Sequence, residues 1–331
     1  MHDDLVEILA CPSCGGALSA NASERRGDVI AEGELRCGSC ERRYAIARGI
    51  ARFVPSGDYA GSFGFQWNRF KLEQLDSANG TTLSADRFFA ETGWSREWLS
   101  GRTILDAGCG AGRFLDVATR SGARVVGVDL SSAVDAAADT LADRERLDLV
   151  QASIDALPFR TGAFDGVYCI GVIQHTSDPE TCVRALARVL RPGGRIAITA
   201  YERRRWTMLY GKYWARRLTR GLSDQALYRL ISLLMPIAFP ITELLFRVPL
   251  AGRFFRFVIP IANYTDAPLS VRQRYRWALL DTFDMLAPAY DQPQRFESVS
   301  RWLAEERVTD VRRGANAGLN VVGRKPDGTP A

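Results

Sequence analysis

Two pairs of cysteines near the N-terminus have the spacing of a metal site. Cys11 and Cys14 form one C-x-x-C pair, and Cys37 and Cys40 form the second. Proline and glycine beside them favour tight turns, so the two pairs can direct four thiolates at one point, the tetrahedral set that zinc favours. A unit of about 60 residues buries little apolar surface, so the metal would contribute folding free energy. We predict structural zinc; an iron–sulfur centre, redox dithiols or free cysteines are the alternatives.

A glycine-rich segment follows an apolar stretch that ends in an acid. Asp106 precedes Gly108, Gly110 and Gly112, and Arg113 comes next. Glycines let a ligand approach the backbone closely at a strand-to-helix turn. A dinucleotide-binding loop would carry a third glycine where this chain has Arg113, and the Asp106 carboxylate would repel a pyrophosphate. The segment therefore favours a ligand with a positive centre near the loop.

The surrounding sequence alternates short apolar strands with helices. Such an order predicts an α/β fold with a Rossmann-like, doubly wound parallel sheet, in which ligands bind at the carboxyl ends of the strands. We predict strands over residues 102–106, 123–129, 148–152, 164–171 and 195–201. Helices are predicted from the glycine-rich segment to about residue 120, from Ser131 onward and over residues 179–190.

The chain divides into a ribbon, a core and an insert. A helix over residues 296–305 and antiparallel strands over 307–312 and 319–323 would complete the core sheet. The long segment between the fifth strand and this helix is then an insertion, the usual place for substrate-specifying structure. We predict a zinc ribbon over residues 1–58, a Rossmann-like domain over 59–201 and 293–331, and a mostly helical lid or substrate insert over 202–292.

Five segments of the core resemble, in order, the motifs of class I S-adenosylmethionine-dependent methyltransferases. They lie at residues 105–112, 127–131, 151–159, 164–172 and 190–194. The resemblance implies S-adenosylmethionine as the cofactor. Asp129 would accept hydrogen bonds from both ribose hydroxyls, Asp155 would accept one from the adenine amino group, and Ile154 would pack on the adenine ring. The cofactor contacts we expect are Trp67, Asp106, Gly108, Gly110, Asp129, Leu130, Ile154, Asp155 and Ile170.

Two flanking segments carry further resemblances. Residues 5–55 resemble the small zinc-ribbon domain that is found beside bacterial methyltransferases and as a stand-alone methyltransferase activator, which implies a structural metal. Residues 62–70 are similar to a stretch that closes over the cofactor in several natural-product and sugar methyltransferases, and they include Trp67. The alternative for this aromatic segment is packing that docks the ribbon onto the core.

Candidate catalytic and substrate residues follow the fourth strand and the insert. The chain has two histidines, and His175 would lie at the carboxyl end of the sheet, so we predict that it is a general base or orients the substrate. A hydrogen-bonded loop histidine is the alternative. Residues 284–294 resemble a loop of small-molecule and sugar methyltransferases, which implies substrate contacts from Tyr290 and Asp291; a proline-bounded turn is the alternative.

The insert combines arginines with apolar stretches. Residues 201–260 hold 11 basic and 3 acidic side chains, whereas the whole chain has a net charge of +5. Residues 227–245 have helical spacing, but Pro236 and Pro240 are expected to break or kink such a helix. We predict a helical lid over a substrate pocket. A surface for an anionic membrane or a lipid-linked substrate, a nucleic-acid face and a homo-oligomer interface are the alternatives.

Composition narrows the function. The 331 residues are 47% hydrophobic and 24% charged, as in folded rather than disordered proteins. No basic apolar leader and no run of about 18 apolar residues is evident, so we expect a cytoplasmic protein. We predict an enzyme that methylates an oxygen or nitrogen of a small molecule, a sugar or secondary-metabolite intermediate with an anionic or lipid-linked group. An RNA base methyltransferase and a catalytically silent scaffold that binds a partner methyltransferase are the alternatives.

Overall fold

The computed structural model describes residues 1–54, 61–315 and 318–328, and the expected boundary at residues 58 and 59 lies outside them. The strands within these ranges form one sheet of 11 strands in the order β1-β2-β3-β4-β7-β6-β5-β8-β9-β11-β10. The strands are β1 (Leu18–Arg26), β2 (Val29–Cys37), β3 (Arg43–Ala47), β4 (Ile50–Arg52), β5 (Thr103–Ala107), β6 (Arg124–Asp129), β7 (Leu147–Gln151), β8 (Phe164–Ile170), β9 (Leu190–Ala200), β10 (Thr309–Arg313) and β11 (Leu319–Arg324).

The Rossmann-like fold predicted from the sequence is confirmed. Strands β7, β6, β5, β8 and β9 pair in parallel, and β11 and β10 complete the edge in antiparallel fashion. Separate apolar clusters lie on the two faces, and all seven residues of β8 are buried, because helices cover both faces of a parallel sheet. These helices include α6 (Arg113–Arg120), α7 (Ala133–Thr140), α8 (Pro179–Val189) and α13 (Phe296–Glu305).

The fifth parallel strand begins earlier than we predicted. β9 starts at Leu190, which pairs with Phe164, while Arg195 pairs with Gly166. One strand therefore advances five residues while its partner advances two, and the extra residues form a bulge. The Pro-Gly-Gly sequence looks like a turn locally, but pairing with β8 on either side of it keeps it within the strand.

The N-terminal ribbon is continuous with the core sheet. Helix α1 (Asp3–Ile8) precedes β1 to β4, which pair in antiparallel fashion. β4 then pairs in parallel with β7, with Ile50 opposite Leu149. The Arg52 guanidinium strengthens this junction, since it lies 2.8 Å from Gln151 Oε1 and 2.7 Å from Asp135 Oδ1. The sequence did not predict this joint, because strand pairing between distant segments leaves no local pattern.

The remaining helices lie before β5 and within the insert. Four of them precede the core: α2 (Gly61–Arg69), α3 (Asp76–Asn79), α4 (Leu83–Thr92) and α5 (Arg96–Leu99). Four more form the insert: α9 (Gly211–Thr219), α10 (Asp224–Leu245), α11 (Ala251–Val258) and α12 (Val271–Leu286). Apolar residues of α10 and α12 share one buried cluster with Phe70, and Phe65 and Trp67 of α2 pack against it.

Helix α10 is not broken at the prolines where we expected a break or a kink. Pro236 and Pro240 lie inside it, and it continues from Asp224 to Leu245. Both prolines are exposed, so water can satisfy the carbonyl groups that lose their N–H partners. By length and mean composition α10 could also cross a membrane, although polar residues interrupt it and it holds no run of about 18 apolar residues.

Candidate active site

The four N-terminal cysteines come together as predicted. Their sulfur atoms all lie within 4.8 Å of one another, and the Cys11–Cys40 and Cys14–Cys37 sulfur pairs are 3.7 and 3.5 Å apart. A tetrahedral zinc site with bonds of about 2.3 Å needs sulfur separations of about 3.8 Å. The donor set therefore fits zinc. Four thiolates leave no position for water, so the site is structural rather than catalytic.

A cavity of about 630 Å³ opens at the carboxyl end of the parallel strands. Its volume lies within the range of about 300–1,000 Å³ that is typical of small-molecule sites. The turns after β5, β6, β7 and β8 form one side, and α2, α12 and the loop before α12 form the other. The residues predicted from the sequence that line it are Trp67, Gly108, Gly110, Asp129, Leu130, Ile154, Ile170 and His175.

The glycine-rich turn after β5 brings the backbone to the cavity wall. Gly108 has φ +85°, and a Cβ there would lie 2.4 Å from a methyl carbon of Val172. Gly110 has φ +53°, and a Cβ there would lie 3.1 Å from the indole nitrogen of Trp67. A side chain at either position would therefore be strained; at Gly108 it would collide with Val172, and at Gly110 it would crowd Trp67. The aromatic segment, through Trp67, lies directly against the turn.

The carboxylate of Asp129 ties the first two turns together. Its Oδ2 accepts a hydrogen bond from the Gly110 N–H at 2.9 Å, and its Oδ1 accepts from the Ser131 N–H and hydroxyl at 2.9 and 2.7 Å. Burial raises the pKa of Asp129, while the hydrogen bonds from Ser131 and Gly110 oppose the rise. A carboxylate offers about four acceptor positions, so Oδ2 keeps one for a ligand hydroxyl.

Two predicted cofactor contacts do not line the cavity. Asp106 is 2% exposed and lies beneath the glycine-rich turn, where its Oδ2 has no hydrogen-bond partner among the described residues. Burial raises the pKa of Asp106 to about 8, and the nearby charge of Asp129 adds to the rise. Asp155 is partly exposed on the turn after β7, whereas its neighbours Ser153 and Ile154 do reach the wall.

His175 lies in the wall, and its two ring nitrogens differ. Nδ1 is 3.0 Å from the backbone carbonyl oxygen of Tyr290. Nε2 is buried and has no hydrogen-bond partner in the described part of the chain. The rings of Phe63 and Tyr201 lie 5.4 and 5.5 Å from the imidazole and fix its position. The carbonyl oxygen can only accept, so Nδ1 carries the proton and Nε2 is left as an acceptor.

The two predicted substrate contacts lie outside the cavity wall. The Tyr290 side chain is 37% exposed, and its contact with the cavity runs through the backbone carbonyl that holds His175. The Asp291 carboxylate is buried against Lys212 at 2.9 Å and the Tyr213 hydroxyl at 3.2 Å. Asp291 therefore fastens α9 to the segment after α12, a contact that the loop sequence alone did not indicate.

The structure adds charged side chains that sequence reasoning missed. Arg113 Nη1 lies 2.8 Å from Gln74 Oε1, and its guanidinium stands over the Trp277 ring at 5.5 Å. Asp281 and Asp284 share one face of α12, and burial raises the pKa of Asp281 to about 7, with Asp284 adding to the rise. The D-x-x-D spacing on a helix was the available signal. Arg87 and Tyr264 also line this end of the cavity.

Comparison with known proteins gives two domain matches. Residues 105–198 match the family described as methyltransferase domain, and residues 2–49 match the family described as Trm112p-like protein. A ubiquinone biosynthesis O-methyltransferase of Xanthomonas oryzae pv. oryzae is 34% identical over 130 residues, which are 37% of this chain and 54% of that protein. One from Ralstonia nicotianae is 33% identical over 135 residues, covering 39% and 57%. The chain spans about half the length of these curated relatives.

Among solved structures, a SAM-dependent methyltransferase from Aquifex aeolicus is similar over 81% of this chain and 99% of its own, with 13% identity and a TM-score of 0.40. The two family matches cover residues 2–49 and 105–198, and they leave residues 50–104 and 199–331, which include the insert, unmatched. The predicted resemblances to a methyltransferase domain and to a zinc-ribbon activator are therefore confirmed.

Proposed function

The chain joins a Trm112p-like domain to a methyltransferase domain, and we propose that it transfers a methyl group from S-adenosylmethionine to an oxygen atom of a small molecule. One observation carries the proposal. The cavity at the carboxyl end of the sheet has the glycine-rich turn and Asp129 in its wall, and it also has a histidine with an unpaired ring nitrogen. Methyl transfer to a hydroxyl group needs a site for the methyl donor and a base for the acceptor. This single cavity has residues suited to each of these tasks.

The residues that would hold the cofactor fit it chemically. The turn at Gly108 and Gly110 permits close approach, and the Asp129 carboxylate keeps one acceptor position for a ribose hydroxyl. Leu130 and Ile154 supply apolar surface in the same wall. Asp155 remains a predicted partner of the adenine amino group. Bound S-adenosylmethionine would supply a methyl group already activated by its sulfonium, so the protein must chiefly orient the acceptor and exclude water.

His175 is the proposed base. A hydroxyl acceptor must lose its proton, and the neutral imidazole has Nε2 available because Nδ1 donates to the Tyr290 carbonyl. Phe63 and Tyr201 pack on the ring, which keeps Nε2 in place and limits water around it. A positioned base contributes about 10²–10⁴-fold to the rate of such a step.

The acceptor we propose is a ring-bearing small molecule, either a secondary-metabolite intermediate or a sugar. The aromatic rings of Tyr264 and Trp277 are part of the cavity wall, and flat faces of either kind of molecule stack on such rings. Arg87 and Arg113 lie in the same wall, so an anionic substituent would be favoured there. The O-methyltransferase names of the curated relatives support oxygen as the acceptor atom.

Isothermal titration with S-adenosylhomocysteine tests the cofactor assignment. We expect saturable binding, and Asp129→Ala should weaken it by about 1–3 kcal/mol, the range for hydrogen bonds to a charged group. Asp139→Ala is the matched control, because Asp139 lies at the exposed end of α7, paired with Arg48 and Lys71. Folded protein that does not bind the ligand would contradict the proposal, as would equal affinities for the two variants.

Transfer itself is tested with methyl-labelled S-adenosylmethionine and a panel of phenols, catechols and hydroxylated sugars. Label should pass to a hydroxyl group of at least one ring-bearing acceptor. Transfer restricted to ribosomal RNA would contradict the small-molecule assignment and identify the RNA alternative.

A further inference from the structure

The insert leaves an unusually large apolar surface uncovered. Helix α10 has one stripe packed against α12, formed by Leu227, Ile231, Met235 and Phe239. A second stripe lies beside it and faces outward. Its members are 41–76% exposed: Leu230, Leu233, Leu234, Ile237, Ile241 and Leu244. At 100° per residue this second stripe covers an arc of about 100°, as wide as the face that a surface helix normally buries.

Neighbouring elements of the insert extend this surface. Leu218 at the end of α9 is 82% exposed, Leu250 before α11 is 91% exposed, and Phe254 within α11 is 63% exposed. Trp206 and Trp214 are also more than half exposed. We call these residues and the outward stripe of α10 the outer face. Single exposed apolar residues need no explanation, but an exposed stripe along one helix, with further exposed apolar side chains on the adjoining segments of the chain, marks an interaction surface.

Positive charge accompanies the outer face. Exposed arginines lie next to its apolar residues in the chain, and the Arg217 guanidinium stands over the exposed Trp214 ring at 4.6 Å. On the helical wheel Arg229 borders the outward stripe of α10. Six exposed arginines of the insert form no ion pair with any described residue: Arg203, Arg205, Arg217, Arg220, Arg229 and Arg253.

We propose that the outer face docks on an anionic membrane surface. Apolar side chains would enter the region between headgroups and acyl chains, and the unpaired arginines would contact lipid phosphates. Helix α10 would lie along the surface instead of crossing it, because its other stripe is held in the buried cluster with α12. A second copy of the chain fits less well, since two such faces would bring the same unpaired arginines together. The inference does not depend on the proposed transfer reaction.

Vesicle flotation with the zinc-loaded full chain tests the proposal. We expect the protein to float with phosphatidylcholine vesicles that contain about a quarter phosphatidylglycerol. Binding should be several-fold weaker on pure phosphatidylcholine and in high salt, because salt screens the attraction of exposed charges. Absence of flotation with the anionic vesicles would overturn the proposal.

Variants separate the outer face from the rest of the surface. The triple variant Leu233→Ser, Ile237→Ser, Leu244→Ser removes three side chains that are 67–76% exposed, so folding should be preserved, and vesicle binding should fall at least about tenfold. The double variant Leu72→Ser, Val271→Ser is the matched control, because both residues are exposed but lie outside the outer face. Equal binding by both variants would overturn the proposal. So would a dimer that the triple variant dissociates, because a second copy would then occupy the outer face. Titration of the same samples with S-adenosylhomocysteine shows whether the cofactor site is intact. Loss of vesicle binding can then be distinguished from loss of the cofactor site.

Discussion

The Nδ1 nitrogen of His175 donates a hydrogen bond to the backbone carbonyl oxygen of Tyr290 at 3.0 Å. The two residues are 115 positions apart, and the contact joins the turn after β8 to the segment of the insert that follows α12. It fixes one tautomer of the imidazole, since a carbonyl oxygen cannot donate. The position of the insert therefore determines which ring nitrogen of the proposed base can accept a proton.

Replacement of His175 tests the proposed base. His175→Asn keeps a side-chain N–H for the Tyr290 carbonyl but removes the Nε2 acceptor. We expect kcat for the methylated acceptor to fall by about 10²–10⁴-fold, with little change in the affinity for S-adenosylhomocysteine. The other histidine supplies the control: His2→Asn alters a residue whose ring is 3.1 Å from Asp148, at the ribbon. Similar rates for His175→Asn and the unmodified protein would refute the assignment.

The glycine-rich turn should tolerate no side chain. Gly108→Ala combines a positive φ with a Cβ that would lie 2.4 Å from Val172, so we expect a loss of about 2–4 kcal/mol in the free energy of unfolding. Gly80→Ala is the control, because Gly80 has φ +72° and no atom within 4 Å of a built Cβ. Gly80→Ala should lower the free energy of unfolding by about 1–2 kcal/mol, because only the backbone conformation is strained. Urea denaturation measures both, and equal losses would show that contact with Val172 is unimportant.

Removal of the metal should destabilise part of the core sheet as well as the ribbon. Mass spectrometry of metals should find one zinc per chain, and Cys14→Ser should lose it, since four thiolates form the site. Because β4 pairs with β7, we expect faster amide hydrogen exchange in β7 as well as in the ribbon. Cys182→Ala, in a helix far from the cluster in the chain, should keep its zinc. Full zinc retention by Cys14→Ser would argue against the assigned ligands.

Asp281 should make stability depend on pH. Its folded-state pKa of about 7 lies above the ordinary value of 3.8, so the folded protein holds this proton more tightly than the unfolded chain. Its contribution is fully present below about pH 4 and is lost as the pH rises towards 7. Between pH 4 and 7 the unfolding free energy should therefore fall less for Asp281→Asn than for the unmodified protein, by roughly 1–2 kcal/mol. This value is smaller than the full pKa shift would give, because the side chain is partly open to the cavity.

Denaturant titrations at pH 4, 5, 6 and 7 measure this effect. Asp266→Asn is a suitable control, since Asp266 is an exposed carboxyl of the same insert. A pH profile for Asp281→Asn that parallels the unmodified protein would exclude Asp281 as its cause.

Local patterns in the sequence determined much of the fold. The alternation of strands and helices, the glycines at 108 and 110, and the spacing of the four cysteines each constrain residues that are close in the chain. They predicted the parallel sheet, the glycine-rich turn at its ligand-binding end and the sulfur cluster, and the resemblance to methyltransferase motifs added Asp129. Each of these depends on backbone geometry that neighbouring residues impose.

Contacts between distant segments were decided only by the tertiary structure. Pairing of β4 with β7 makes the ribbon part of the core sheet, and burial against α12 carries α10 through two prolines. The same packing turns Asp291 towards Lys212 rather than the cavity and brings Asp281 and Arg113 into its wall. A side chain's burial and charge environment depend on what packs against it from elsewhere, and no local pattern encodes that.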